Sequence, residues 1–122
     1  MYRVLIVDDA IFMRKVIKTM LEKNGFQVVG EAENGVVGVS KYNELHPDVV
    51  TMDITMPEMT GIDALKAIRQ QDPRAKVVMV SAMGQEALVE EAVMNGAKSF
   101  IIKPFQEEHI VKTLTAIAAR NP

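Results

Sequence analysis

Five short apolar runs punctuate the 122-residue chain, and their regular spacing limits the fold more than any other feature. Val4 to Val7, Phe26 to Val29, Val49 to Met52, Lys76 to Val80 (apolar from Val77) and Phe100 to Ile102 are unbroken rather than alternating. That pattern suits strands covered on both faces, as in a parallel sheet. Between the runs the period changes to that of a helix. Met13, Val16, Ile17, Met20 and Leu21 share one helical face, with Gly25 where a C-terminal cap belongs. A second helix is expected over about Gly35 to Leu45, where two glycines and several β-branched residues leave tertiary packing to hold it. The third starts after Thr60, a plausible N-cap, presents Ile62, Leu65 and Ile68, and stops at Asp72-Pro73. The fourth spans about Gln85 to Asn95 before Gly96, and the fifth about Glu107 to Arg120, aligning Ile110, Leu114, Ile117 and Ala118.

Five strands alternating with five helices imply parallel pairing, right-handed crossovers and helices on both faces of one sheet. The expected fold is α/β, a doubly wound five-stranded parallel sheet in strand order 2-1-3-4-5. One domain over residues 1–122 accommodates it, since no linker, repeat or low-complexity segment intervenes. Hydrophobic residues at 48% and charged residues at 25% support a packed core, and a net charge of −2 lacks the basic excess of an autonomous nucleic-acid binder. No apolar run approaches the roughly 18 residues of a membrane span. With no targeting segment read at Met1-Tyr2-Arg3, the expected location is cytoplasmic. The lack of cysteine removes disulfides, thiolate metal sites and cysteine nucleophiles.

In a sheet of this kind the functional crevice lies beyond the carboxyl ends of the strands, where strand order reverses. The first strand ends in Asp8-Asp9, the third in Asp53, the fourth in Ser81 and the fifth in Lys103-Pro104. Three carboxylates a few Å apart repel by up to about 4 kcal/mol per pair at an effective dielectric near 20. With Lys103 the four groups still sum to −2, the charge that one divalent cation balances. Oxygen ligands without His or Cys favour a hard ion, Mg²⁺ or Mn²⁺. Asp53, alone at its strand end, is the best candidate nucleophile toward a phosphoryl group, with Asp8 and Asp9 as a metal pair. Lys103 and the Ser81 hydroxyl would each contact a phosphoryl oxygen. Taken singly, each residue is more often a cap, a turn residue or a solvated charge; the weight lies in their co-location.

The segments VLIVDD (4–9), MDITMPEMTG (52–61), VSAMG (80–84) and FIIKPF (100–105) closely resemble response-regulator receivers, especially chemotaxis CheY-like proteins, along essentially the whole chain. The resemblance implies that Asp53 is the phosphoacceptor, that Asp9 and Asp53 bind Mg²⁺ directly, that Asp8 acts through water and that the Thr55 carbonyl is a backbone ligand. It also implies a switch in which Ser81 moves toward the phosphoryl group and Phe100, three residues before the lysine, turns inward; the competing view makes Phe100 plain core. Phe100 lacks the hydroxyl of the tyrosine that many chemotaxis members carry. Thr55 and Met83 stand where the family tunes phosphoryl lifetime. Pro57 and Gly61 are expected to shape the loop after Asp53, Gly61 by allowing positive φ, and Met56, Met59 and Met83 to fill gaps.

The function so implied is a stand-alone switch, charged by a histidine kinase and read by the flagellar motor switch or another output protein through the fourth helix, fifth strand and fifth helix. A phosphatase is a further partner, and the expected state is a monomer that contacts no nucleic acid. It would not be an enzyme in the ordinary sense, although it would catalyse its own phosphorylation from small donors and its own dephosphorylation. A receiver excised from a DNA-binding regulator would look the same, although little chain remains between the fifth helix and Pro122 for an output domain. An FMN-binding redox protein shares the flavodoxin-like topology, but two aspartates in the first loop suit a phosphate poorly. A phosphatase acting on external substrates would want an acid two residues past Asp53, where Thr55 stands.

Overall fold

The computed structural model describes residues 1–120; the last two residues of the expected 1–122 domain lie outside them. The elements are β1 (Arg3–Val7), α1 (Ile11–Lys23), β2 (Gln27–Ala32), α2 (Gly35–Leu45), β3 (Val49–Asp53), α3 (Gly61–Gln71), β4 (Val77–Ala82), α4 (Glu86–Met94), β5 (Ser99–Lys103) and α5 (Glu107–Ala118). All strand pairs are parallel, in the order β2-β1-β3-β4-β5. The sheet is therefore the five-stranded doubly wound arrangement expected from the alternation of apolar runs and helices.

Alternate strand residues point to opposite faces, and each face has its own core. Leu5, Val7, Val50, Met52, Val77 and Met79 pack against α2, α3 and α4 through Tyr42, Leu65, Ile68 and Ala92. Val4, Ile6, Val49, Val78 and Ile101 pack against α1 and α5 through Ile17, Leu21, Ile110, Leu114 and Ile117. The continuous apolar run of β3 is thus explained: all five of its residues are buried, one set in each layer. No helix is long and apolar enough to cross a membrane among the described residues.

Several boundaries differ from the sequence reading, those of β2, α5 and α4 among them. β2 starts one residue later than Phe26 and continues to Ala32. Phe26 is buried core all the same, turned inward after Gly25 (φ +87), with its N–H on the Leu21 carbonyl. Gly30 and Glu31 join the strand because β2 is an edge, and apolarity is not required of every residue there. α5 ends at Ala118 rather than Arg120, where the Lys76 ammonium takes the Ala118 carbonyl at 3.1 Å and also that of Arg120. α4 is shorter by one residue at each end.

The weak helix, α2, is held as its composition requires. The Asn34 side chain caps it by accepting the Val37 N–H at 2.9 Å. Gly38 lets it approach β1, since a Cβ there would lie 3.1 Å from both Val7 methyl groups.

Candidate functional site

Strand order reverses between β1 and β3, so the loops that leave their carboxyl ends part and open a crevice. Asp8 and Asp9 follow β1, Asp53 is the last residue of β3, Ser81 lies in β4 and Lys103 ends β5. The fold brings all five to one edge. One carboxylate oxygen from each of Asp8, Asp9 and Asp53 lies within 4.8 Å of the others. Asp8 and Asp53 are buried, at 1% and 6% exposure, whereas Asp9 is exposed. The Lys103 ammonium stands 3.4 Å from Asp8 Oδ2 and 3.8 Å from Asp53 Oδ2.

The β1–α1 loop is braced from behind. Asp8 Oδ1 accepts the Ala10 N–H at 2.9 Å, and the Asp8 carbonyl accepts from the Arg14 guanidinium at 2.6 Å. Arg14 is itself fixed by Glu31 of β2 at 3.2 Å. Sequence reasoning overlooked Arg14, because Asp8 and Glu31 become its neighbours only when β1, β2 and α1 pack together.

The electrostatic consequence falls on Asp53. Burial chiefly, and then the Asp8 charge, push its carboxyl up to about 6; Lys103 opposes them, Asp9 adds to the rise and the Ile54 N–H lowers it again. A buried carboxylate in this position is incompletely compensated near neutral pH. Three oxygens from three carboxylates converge there, and no softer donor is among them, so the donor set suits a hard divalent cation. Ser81 supplies a second unmet demand: its Oγ is buried without a hydrogen-bond partner among the described residues. A buried hydroxyl that caps no helix and meets no acceptor is costly.

The loop after β3 is set by close approach. Gly61 donates its N–H to the Ile54 carbonyl at 2.7 Å, and a Cβ on Gly61 would collide with the Asp53 carbonyl oxygen. Gly61 is therefore needed for space rather than for positive φ, which in this loop belongs to Glu58 (φ +69). Met56 is buried and Met59 packs beside it, both as gap-fillers, but Met83 is 77% exposed and fills nothing.

Phe100 is not core either. At 41% exposure it lines an open apolar groove of about 670 Å³ with Val89, Val93 and Ile102, and the groove runs from Ser81 and Lys103 outward along α4 and β5. The Thr55 side chain is exposed, and its hydroxyl accepts the Gln85 side-chain N–H at 3.1 Å. Gln85 also escaped the sequence reading, its position near a helix start having suggested only a boundary.

Residues 4–115 match the family model described as the response regulator receiver domain. The chain is 58% identical over 116 residues to the chemotaxis protein CheY of Thermotoga maritima, covering 95% of this chain and 97% of that protein. It is 58% identical over 113 residues to CheY of Bacillus subtilis, covering 93% and 94%. Among solved structures, CheY in the CheX–CheY–BeF₃–Mg²⁺ complex of Borrelia burgdorferi superposes with a TM-score of 0.92 at 37% identity, covering 98% of this chain and 90% of that one.

Proposed function

The chain belongs to the response regulator receiver family, and from that premise we propose that it is a stand-alone chemotaxis response regulator whose phosphoacceptor is Asp53. The observation that carries the reading is the buried Asp53 carboxylate, flanked by Asp8, Asp9 and Lys103, with an unpartnered Ser81 hydroxyl on the neighbouring strand. Near-complete coverage of both CheY relatives supports the chemotaxis role.

Asp8, Asp9 and Asp53, with the Thr55 carbonyl, are the residues that would hold Mg²⁺, with Mn²⁺ as an alternative. When bound, the ion neutralises the carboxylates and the phosphoryl oxygens that approach them. An Asp53 oxygen then forms a P–O bond as the P–N bond of a kinase phosphohistidine, or the P–O bond of acetyl phosphate, breaks, and the leaving group departs with the electron pair. Lys103 offers a compact positive charge to one phosphoryl oxygen and the Ser81 hydroxyl donates to another. Water later attacks phosphorus, releasing inorganic phosphate and restoring Asp53. Because the protein modifies and restores itself, it is a switch rather than an enzyme with an external substrate.

Engagement of Ser81 draws on the strand beside Phe100, so α4, β5 and α5 form the expected output face toward the flagellar motor switch or another output protein. Ser81, Lys103 and Phe100 line one continuous groove there, which gives the site a physical route to that face. The other partners are a histidine kinase and a phosphatase, and the setting is the cytoplasm, with the chain a monomer.

Intact mass after treatment with acetyl phosphate and Mg²⁺ tests the reading. One phosphoryl group should be gained by the wild type and none by Asp53→Asn. An undiminished gain in that variant would remove Asp53 as acceptor.

A further inference from the structure

The parallel ladder between β3 and β4 runs out at the site. The Val80 carbonyl accepts the Ile54 N–H at 3.2 Å, so Ala82, two residues on, turns its own N–H toward the same side. The Ile54 carbonyl, next in line, is already engaged by Gly61. What meets the Ala82 N–H instead is a side chain: Gln85 Oε1 accepts it at 2.7 Å. The other end of the same carboxamide donates to the Thr55 hydroxyl at 3.1 Å. Gln85 thus makes no capping bond to α4, although it occupies the cap position, and it ties the β4–α4 loop to the β3–α3 loop across the mouth of the crevice. Next to this tie stands Ser81, whose hydroxyl has no partner.

We propose that the Gln85 carboxamide is a latch on the resting site, competing with a phosphoryl group on Asp53 for the Ala82 N–H and restraining the end of β4 that carries Ser81. The inference rests on the reading of Asp53 as phosphoacceptor. A phosphoryl dianion is the stronger acceptor, since charge-assisted hydrogen bonds exceed neutral ones roughly twofold. It therefore displaces the neutral amide, but the two bonds lost subtract from its net affinity. Gln85 is a positioning residue in this scheme, since it touches no carboxylate of the cluster.

Beryllofluoride serves as the phosphoryl mimic, titrated with Mg²⁺ into the whole protein. Gln85→Met keeps the length of the side chain and removes both hydrogen bonds, and it should tighten beryllofluoride binding about three- to tenfold, the equivalent of one or two neutral hydrogen bonds. Mg²⁺ affinity without beryllofluoride should stay unchanged. Unchanged or weaker beryllofluoride binding overturns the latch, and so does a parallel gain in Mg²⁺ affinity, which would locate the effect on the carboxylates. The wild type gives an independent reading: its Gln85 side-chain amide NMR signals should move on adding beryllofluoride, and signals that stay fixed while beryllofluoride binds overturn the latch as well. A wild type that binds no beryllofluoride and gains no phosphoryl mass fails at the earlier step, the assignment of Asp53, and takes the latch with it.

Discussion

Asp53 is the residue on which folding and function pull in opposite directions. Its carboxyl titrates near 6 in the folded protein and near 3.8 when unfolded. Between those values the folded form holds the additional proton, so metal-free stability falls as pH rises from about 4 to 6 and stays reduced above. Two pKa units correspond to about 3 kcal/mol. Asp53→Asn removes that cost, and in chelator at pH 7 it should be more stable than wild type by about 1–3 kcal/mol, with the gap closing near pH 4. Urea unfolding at the two pH values measures this; equal gaps at both would show that burial of the charge is not the source. Lys103 is the only cation within 4 Å of Asp53 among the described residues. Lys103→Met should raise the Asp53 carboxyl above its present value of about 6, a shift that an NMR titration of the carboxyl carbon reads directly.

At the scale of elements, the strands deliver the chemistry and the loops hold it in register. Gly61 shows how tightly: its Cβ would occupy the place of the Asp53 carbonyl oxygen, a backbone atom that moves only with Asp53 itself. Gly61→Ala should therefore cost more than about 3 kcal/mol and weaken phosphorylation together with stability. Gly84→Ala is the contrast, because among the described residues nothing lies within 4 Å of a Cβ there and only the positive φ of +90° is strained. Its cost should be about 1 kcal/mol. Thermal unfolding of the pair separates steric from conformational demand, and similar losses would refute the distinction. α2 depends on its cap, so Asn34→Ala should lose about 1 kcal/mol by the same measurement.

The whole molecule behaves as a sheet whose two cores are complete and whose carboxyl edge is not. A divalent cation would bind the folded form alone, since the three carboxylates meet only there. Mg²⁺ at a hundred times its dissociation constant should thus stabilise the protein by about 2.7 kcal/mol. The gain should be smaller at pH 5 than at pH 7, because protonation of Asp53 competes with the ion, and it should shrink in Asp9→Ala. Calorimetric scans with and without Mg²⁺ test both, and a pH-independent gain would exclude Asp53 from the binding set.

Much of this was legible in the chain because the signals are local. An unbroken apolar run followed by a helical period specifies a parallel strand and its crossover, which led to a doubly wound sheet, expected in one of its common orders, 2-1-3-4-5, and to the edge where Asp8, Asp9, Asp53, Ser81 and Lys103 meet. The extension of β2 through Gly30 and Glu31 was not legible, since edge position, not apolarity, admits those residues. Nor was the spatial need for Gly61, the outward face of Phe100, the brace of Arg14 or the bridge of Gln85 between Ala82 and Thr55. Each of these depends on two segments distant in sequence arriving within a few Å. A periodic pattern records which face of an element is buried, but only the packed chain decides what stands opposite it.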